Sequence, residues 1–235
     1  MSNANSHAHG EPNPYVAHYF QSAHQQKEAA TLGMWLFLAQ EFMFFGSLFL
    51  AYSVYRFSYP DAWATGSAAL PVLPGAINTI VLLLSSFSMA MGVYYAQTSQ
   101  QKKLFWALVS TMALGILFLL IKWFWEYSPK IAFGVFPGLG FGPDAHHYPG
   151  LAAFADQGPL QLFFVFYFIM TGMHAAHMIV GFGIILWLMW GTVKGRYHAD
   201  RYMQIENFGL YWHFVDIVWV FLFPMFYLVH AAHGH

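Results

Sequence analysis

The chain has 235 residues, of which 58% are hydrophobic, 20% are aromatic and only 8% are charged. Soluble domains carry about a quarter charged residues, so this composition indicates an integral membrane protein. The formal net charge of −1, with histidine neutral, gives no indication of a nucleic-acid partner. The absence of cysteine excludes disulfides, iron–sulfur clusters, thiolate chemistry and c-type haem attachment within the chain.

Five apolar segments are long enough to cross a membrane as helices, which takes ~20 residues each. In chain order they run over about 31–55, 75–97, 104–127, 160–190 and 206–230. Helix breakers and charged residues separate these segments, and the sequence shows no ten-residue alternation of the kind typical of a β-barrel. The sequence therefore predicts an all-α integral membrane bundle of five transmembrane helices.

The predicted bundle occupies residues 31–230 and leaves a polar tail at each end, residues 1–30 and 231–235. The first tail has no basic start followed by an apolar core, so we do not interpret it as a signal peptide. Histidines occur in both tails at irregular spacing, which indicates solvated chain rather than a metal site.

Lysines and arginines divide unequally between the loops on the two sides of the predicted bundle. One side holds only Arg56 and Lys130. The other side holds Lys27, Lys102, Lys103, Lys194, Arg196 and Arg201. Because cytoplasmic loops carry the excess of cations, this distribution predicts a cytoplasmic N-terminus, an external C-terminus and an external loop at 128–159.

Ionisable side chains within a membrane are costly unless they face protein or water, which makes them candidates for function. The predicted helices contain eight, namely Glu41, Lys122, Glu126, His174, His177, Glu206, His213 and Asp216. Glu41 stands near the middle of the first helix, in the stretch WLFLAQEFMFFGSLFL. Two roles are open for it, a hydrogen-bonded structural acid or an acid that handles protons.

Two positions have simple electrostatic interpretations. Lys122 and Glu126 are four residues apart on one helix face, so an ion pair is expected between them. Glu206 begins the fifth helix, where the helix dipole favours an acid and where Lys194 or Arg201 can reach it.

The histidines of the last two helices form two pairs with a shared face, His174 with His177 and His213 with Asp216. The pairs lie at similar depths, and we expect them to satisfy each other's hydrogen-bonding groups and to pack the bundle. A metal site of three histidines and one carboxylate is an alternative, as is axial ligation of a haem by histidines of the two helices. The spacing alone is a weak signal for either.

At these residues the sequence resembles subunit III of the haem-copper oxidases, and specifically cytochrome c oxidase subunit III. The matching stretches extend from Thr31 to Tyr227 and are LGMWLFLAQEFMFFG, INTIVLLLSS, LGILFLLIKWFWEY, FFVFYFIMTGMHAAHMIVG and YWHFVDIVWVFLFP. Longer family members have seven helices, so the chain is similar to the short, five-helix bacterial form.

The resemblance implies a subunit of an oxidoreductase complex, a proton-pumping cytochrome c oxidase, without a catalytic centre of its own. Haem a and copper would belong to partner subunits, chiefly subunit I, with subunit II and other oxidase subunits, and cytochrome c would be the electron donor. Phospholipid would bind between the helices, and the subunit would support proton uptake and catalytic lifetime in the bacterial inner membrane. The residues that match family positions are Glu41, Glu126, His174, His177, His213 and Asp216, with metal ligation at none of them.

Three other functions are consistent with parts of this pattern. The chain could be subunit III of a quinol oxidase or an accessory subunit of a nitric oxide reductase. An independent proton-coupled transporter, with Glu41 and the histidines as a relay, is a more distant alternative, because no inverted repeat is visible.

Overall fold

The computed structural model describes residues 23–154, 157–199 and 201–229, and all regular elements in these ranges are helices. In chain order they are α1 Ala23–Ser58, α2 Pro60–Ala68, α3 Val72–Gln97, α4 Gln101–Lys122, a π-helix Trp123–Tyr127, α5 Ser128–Ala132, α6 Pro149–Ala152, α7 Gln157–Val193 and α8 Met203–Tyr227. Within the described residues, five helical stretches are long and apolar enough to cross a membrane, which confirms the predicted fold class. The tail at 231–235 and residues 1–22 lie outside the described ranges, whereas residues 23–30 already belong to α1.

The third spanning stretch continues through the π-helix and α5 as far as Ala132, although the sequence analysis began a loop at Ser128. Pro129 does not end the helix, because it follows directly on the π turn and the residues before it, Tyr127 and Ser128, keep helical backbone angles. Lys130, which the orientation count placed in a loop, therefore lies on a helix and is buried. The count of cations on that side falls to Arg56 alone.

The described chain divides into two units, and the boundary between them falls after Phe42 in α1. In the second unit, α3 and α4 pack side by side and are joined by side-chain hydroxyls. Ser85 Oγ donates to the Thr111 carbonyl at 3.2 Å, and Ser88 Oγ donates to the Ala107 carbonyl at 3.1 Å. These bonds fix an antiparallel register, with residue 85 opposite residue 111.

The core of the second unit lies between α3, α4, α7 and α8 and is built largely of aromatic rings. Trp212 is fully buried there, and its indole Nε1 donates to Ser85 Oγ at 3.0 Å. A Cβ atom added to Gly181 would lie only 2.7 Å from the Trp212 ring. Glycine at this position therefore permits the close approach of α7 to α8.

Residues 45–52 of α1 pack on α7 and α8 through aromatic rings. The Phe45 ring centroid lies 5.3 Å from that of His177, and the Tyr52 ring lies 4.9 Å from Phe226. The Tyr52 hydroxyl also donates to the carbonyl of Met225. These contacts hold the second half of α1 against the bundle.

Candidate functional site

A polar cluster is buried in the second unit where α4, the π-helix, α7 and α8 meet. It consists of Lys122, Glu126, Tyr167 and Tyr227, and we call it the Glu126 cluster. Lys122 Nζ lies 2.6 Å from Glu126 Oε2 and also donates to Tyr167 Oη at 3.0 Å and to Tyr227 Oη. Both phenols donate to the same carboxylate oxygen. Three donors from three elements therefore converge on Glu126 Oε2.

The local backbone explains how an acid becomes buried in a run of large aromatic residues. The π-helix covers the sequence WFWEY, and a single π turn rotates the following side chains relative to a regular α-helix. Trp123, Phe124 and Trp125 are exposed at the surface of the chain, while Glu126 points into the core. Tyr127 Oη then lies 2.6 Å from Thr171 Oγ1 of α7, which fastens the end of the π-helix to the bundle.

Aromatic faces surround the cations of this region. Lys122 Nζ lies 4.8 Å from the ring centroids of both Tyr167 and Trp219, and Lys130 Nζ lies 5.4 Å from that of Tyr167. Cation–π contacts of this kind offset part of the cost of removing an ammonium group from water. Two buried cations thus accompany the one carboxylate.

The cluster can hold and share protons, because a carboxylate, two phenols and an ammonium group are in hydrogen-bond contact. It also ties α4 to α7 and α8 through charge-assisted bonds, which are stronger than neutral ones. Glu126 Oε1 has no hydrogen-bond partner among the described residues. No group of three or more histidine, aspartate or glutamate side chains in the described part of the chain is arranged to hold a metal ion.

The two predicted histidine pairs do not satisfy each other. The His174 ring packs against Phe118 and Trp219, at 5.5 and 5.4 Å between centroids, and neither of its nitrogens has a hydrogen-bond partner among the described residues. His177 Nδ1 lies 2.8 Å from the Met173 carbonyl of its own helix. The expected hydrogen bonding to the second pair is therefore wrong for His174, because aromatic rings occupy the space around it.

The second pair, His213 and Asp216, is likewise directed away from the histidines of α7. His213 Nδ1 lies 2.6 Å from Ser86 Oγ on α3, and the Ser86 hydroxyl is also close to Asp216. Asp216 is buried, and neither of its carboxylate oxygens makes a hydrogen bond of normal geometry to a described residue. His213 and Asp216 thus face α3 rather than the histidines of α7.

Two predicted residues remain: Glu41 lies in the first unit, and Glu206 lies at the start of α8. Glu41 is 9% exposed, whereas Phe42 after it is 71% exposed. Glu206 lies in the first turn of α8, as predicted from the helix dipole. Lys194, one of its two proposed partners, lies over the Trp190 ring at 3.6 Å instead.

Tyr167 and Tyr227 are uncharged and Lys130 follows the predicted third span, so a search for charged residues within the spans does not identify these three. Tyr167 precedes Thr171 by four residues and His174 by seven, and this spacing places all three on one helix face. A tyrosine on the same face as buried polar residues was the available signal. Tyr227 gave no such signal, since it closes an apolar helix.

Comparison with known proteins identifies the family. The family model for cytochrome c oxidase subunit III matches residues 159–231. A cytochrome c oxidase subunit 3 of Synechocystis sp. is 31% identical over 207 residues, which cover 88% of this chain and 78% of the relative. The chain belongs to the cytochrome c oxidase subunit III family. The resemblance of its motifs to this family is confirmed.

Other members of the subunit III family extend the match to different oxidases. A probable quinol oxidase subunit 3 of Staphylococcus haemolyticus is 29% identical over 84% of this chain and 88% of the relative. A heme-copper oxidase subunit I+III of Aeropyrum pernix is 30% identical over 86% of this chain, which corresponds to 23% of that longer protein. The chain is therefore similar to subunit III of haem-copper oxidases that are named for different electron donors.

Proposed function

We propose that the chain is the non-redox subunit III of a proton-pumping cytochrome c oxidase, and that it docks on subunit I. The relative from Aeropyrum pernix carries the proposal, because its name joins subunits I and III in one chain. Haem a and copper belong to the partner subunits, including subunit II, and this chain binds none itself. Its contribution is to support proton uptake and catalytic lifetime in the partner.

The exposed surface of the first spanning helix supports the proposal of a protein partner. In the most apolar 18-residue stretch of this helix only 6% of the residues are buried within the chain, compared with 50% in the corresponding stretch of the last spanning helix. Its exposed apolar side chains include Trp35, Leu36, Phe42 and Met43. A helix that leaves this much of its surface to its surroundings is suited to packing against another membrane subunit as well as lipid.

Purification of the complex tests the proposal. The chain is extracted in a mild detergent through an affinity tag, and the co-purifying subunits are identified by mass analysis and haem spectroscopy. We expect a large partner containing haem a, with oxidase activity toward reduced cytochrome c. Oxidation of quinol and not of cytochrome c would establish the alternative, a quinol oxidase, which the staphylococcal relatives favour. Isolation of the chain without any haem protein would reject both.

Glu41 is proposed to act on proton supply to the partner rather than on assembly. We expect Glu41→Ala to leave the amount of purified complex nearly unchanged and to alter turnover or the number of turnovers before inactivation. A hydrophobic carbodiimide, which partitions into the membrane, should label Glu41 in preference to the exposed Asp61. Unchanged turnover and lifetime would reduce Glu41 to a packing residue.

Phospholipid is the proposed ligand of the grooves on the surface of the second unit. One groove of about 510 Å³ between α3 and α4 has apolar walls that include Phe87 and Trp106, with Lys103 at its rim. A lysine beside an apolar groove matches a lipid with an anionic headgroup. Lipid extraction and mass analysis of the complex, before and after Lys103→Gln, tests this assignment through the loss of a bound anionic lipid.

The proposed location is the bacterial inner membrane, with the N-terminus in the cytoplasm and the C-terminus outside. Because the chain has no cysteine, single cysteines report orientation without background. Leu139→Cys lies in an exposed loop and should react with an impermeant maleimide added to intact cells. Thr98→Cys, in the turn after α3, should react only after the cells are opened. The reverse pattern would invert the proposed orientation.

A further inference from the structure

Several polar atoms in the second unit are buried without a hydrogen-bond partner among the described residues. Both amide atoms of Asn78, both ring nitrogens of His174 and both carboxylate oxygens of Asp216 make no hydrogen bond of normal geometry to a described residue. All three side chains are more than nine-tenths buried. A buried polar group without a partner costs about 1–3 kcal/mol, and more if it is charged. Three such residues in one bundle therefore indicate a bound species that satisfies them.

The helix register places these residues at neighbouring depths. Residue 85 of α3 is opposite residue 111 of α4, so seven residues further toward the other membrane face Asn78 is opposite Phe118. The Phe118 ring lies 4.8 Å from Trp219 of α8, and Trp219 Nε1 donates at 3.2 Å to Thr79, the residue after Asn78. Trp219 is thus the side chain that links α3, α4 and α8 at this level.

His174 and Asp216 are adjacent to the same tryptophan. The His174 ring centroid lies 5.4 Å from that of Trp219. Asp216 precedes Trp219 by one helical turn and lies between the Thr79–Trp219 contact and the Ser86–His213 contact. The residues that carry unpartnered atoms therefore lie around the stretch of α8 from Asp216 to Trp219, and we call this group of residues the column.

The Glu126 cluster closes the other end of this column. Lys122 Nζ lies 4.8 Å from the Trp219 ring and holds Glu126 Oε2, while Glu126 Oε1 remains without a partner among the described residues. The column thus extends from one buried carboxyl group, Asp216, to another, Glu126. Its members are an amide, an imidazole and two carboxyl groups, which together need both donors and acceptors.

We infer that the second unit binds ordered water between Asp216 and the Glu126 cluster, beside Asn78, His174 and Trp219. Water is the ligand that donates and accepts at once, and buried waters typically make about three hydrogen bonds to groups of this kind. Two cations, Lys122 and Lys130, lie close to this site. The described residues also contain no group arranged to hold a metal ion, so a bound cation is disfavoured. This site goes beyond the proposed function and holds whichever electron donor the complex uses.

Radiolytic footprinting of the purified complex in water enriched in ¹⁸O tests the inference. Short X-ray pulses convert bound water into hydroxyl radicals in place, so side chains beside internal water are oxidised although bulk solvent cannot reach them. We expect Trp219 and Phe118 to incorporate ¹⁸O at least fivefold faster than Trp212. Trp212 is a matched control, because it is equally buried on the same helix and its indole nitrogen is paired with Ser85.

A pair of variants identifies the residues that bind the water. Asn78→Leu removes two unpartnered atoms and should lower labelling of Trp219 and Phe118 to the Trp212 level. Asn207→Leu, which lies on α8 away from the column, should leave the labelling unchanged. Labelling of Trp219 no faster than that of Trp212 in the unmodified complex would overturn the inference and show that the polar groups bond directly to one another. Unchanged labelling in Asn78→Leu would likewise overturn the assignment of Asn78 to the site.

Discussion

Two acid–base pairs in this chain have the same length and very different surroundings. Lys122 Nζ and Glu126 Oε2 are 2.6 Å apart, with side chains only 4% and 0% exposed. His147 Nδ1 and Asp144 Oδ2 are also 2.6 Å apart, in the loop between α5 and α6, but these side chains are 45% and 43% exposed. The comparison separates the contribution of distance, which is equal, from that of burial.

Burial makes the first pair indispensable and leaves the second nearly dispensable. Water screens an exposed pair, which typically contributes about 0–1 kcal/mol. A buried pair gains little over apolar residues when intact, but loss of one partner leaves an uncompensated charge. A substitution at any single position of the Glu126 cluster should therefore lower the stability of the protein. A single substitution in the loop pair should change the stability little.

Glu126→Leu should have the largest effect on stability. It removes the carboxylate that accepts bonds from Lys122, Tyr167 and Tyr227 and leaves Lys122 buried beside Lys130. We expect a loss of about 3–5 kcal/mol in the free energy of unfolding. Thermal unfolding of the purified complex in detergent, followed by tryptophan fluorescence, measures it. A loss below about 1 kcal/mol would mean that water reaches the cluster and screens it.

The double variant Lys122→Met/Glu126→Leu should be less destabilised than Glu126→Leu alone. Replacement of a whole buried ion pair by apolar residues of similar volume is often neutral, because both desolvation costs disappear. The two phenols lose their acceptor, so we expect a residual loss of about 1–3 kcal/mol. If the double variant is less stable than the single one, the charge of Lys122 is not the reason for the effect.

Tyr167→Phe should have an intermediate effect. The phenol donates to a charged acceptor in a buried site, and such bonds contribute about 1.5–3 kcal/mol. Tyr55→Phe, which changes a partly exposed tyrosine on α1, serves as the control and should lie within about 0.5 kcal/mol of the unmodified protein. Equal stability of the two variants would show that Lys122 alone compensates the charge of Glu126.

The fold and the pairing of Lys122 with Glu126 follow from local sequence, but the rest of the cluster does not. Apolar length gives the five spanning helices, and a four-residue spacing brings the two charges together. Tyr227 and Tyr167 reach Glu126 from other helices, 101 and 41 residues away along the chain. The π turn also changes which side chain points inward, and no periodicity analysis based on 3.6 residues includes it. The packing of the helices therefore determines which further side chains reach Glu126, and residue spacing within one helix does not.

Asp144→Asn should have the smallest effect and should act only on the loop. The hydrogen bonds from His147 and from the His146 backbone N–H hold the pKa of Asp144 below its usual value. The His146 amide should exchange with deuterium faster in the variant, by no more than about fivefold, since the pair is exposed. Exchange near Glu126 should be unchanged, because the loop pair does not contact the Glu126 cluster.

The pH dependence of this effect has a definite sign. Because the pKa of Asp144 is lower in the folded loop than in an unfolded chain, its contribution is fully present above the ordinary aspartate pKa of about 3.9 and is lost as the pH falls through the lower folded value. Corrected for intrinsic rates, the unmodified protein should therefore protect the His146 amide better than Asp144→Asn at pH 6, and the difference should vanish at strongly acidic pH. A difference that persists in strong acid would show that the charge of the carboxylate is not its source, and that the substitution instead disturbs local packing such as the stacking of His147 on Phe133, whose rings are 3.6 Å apart.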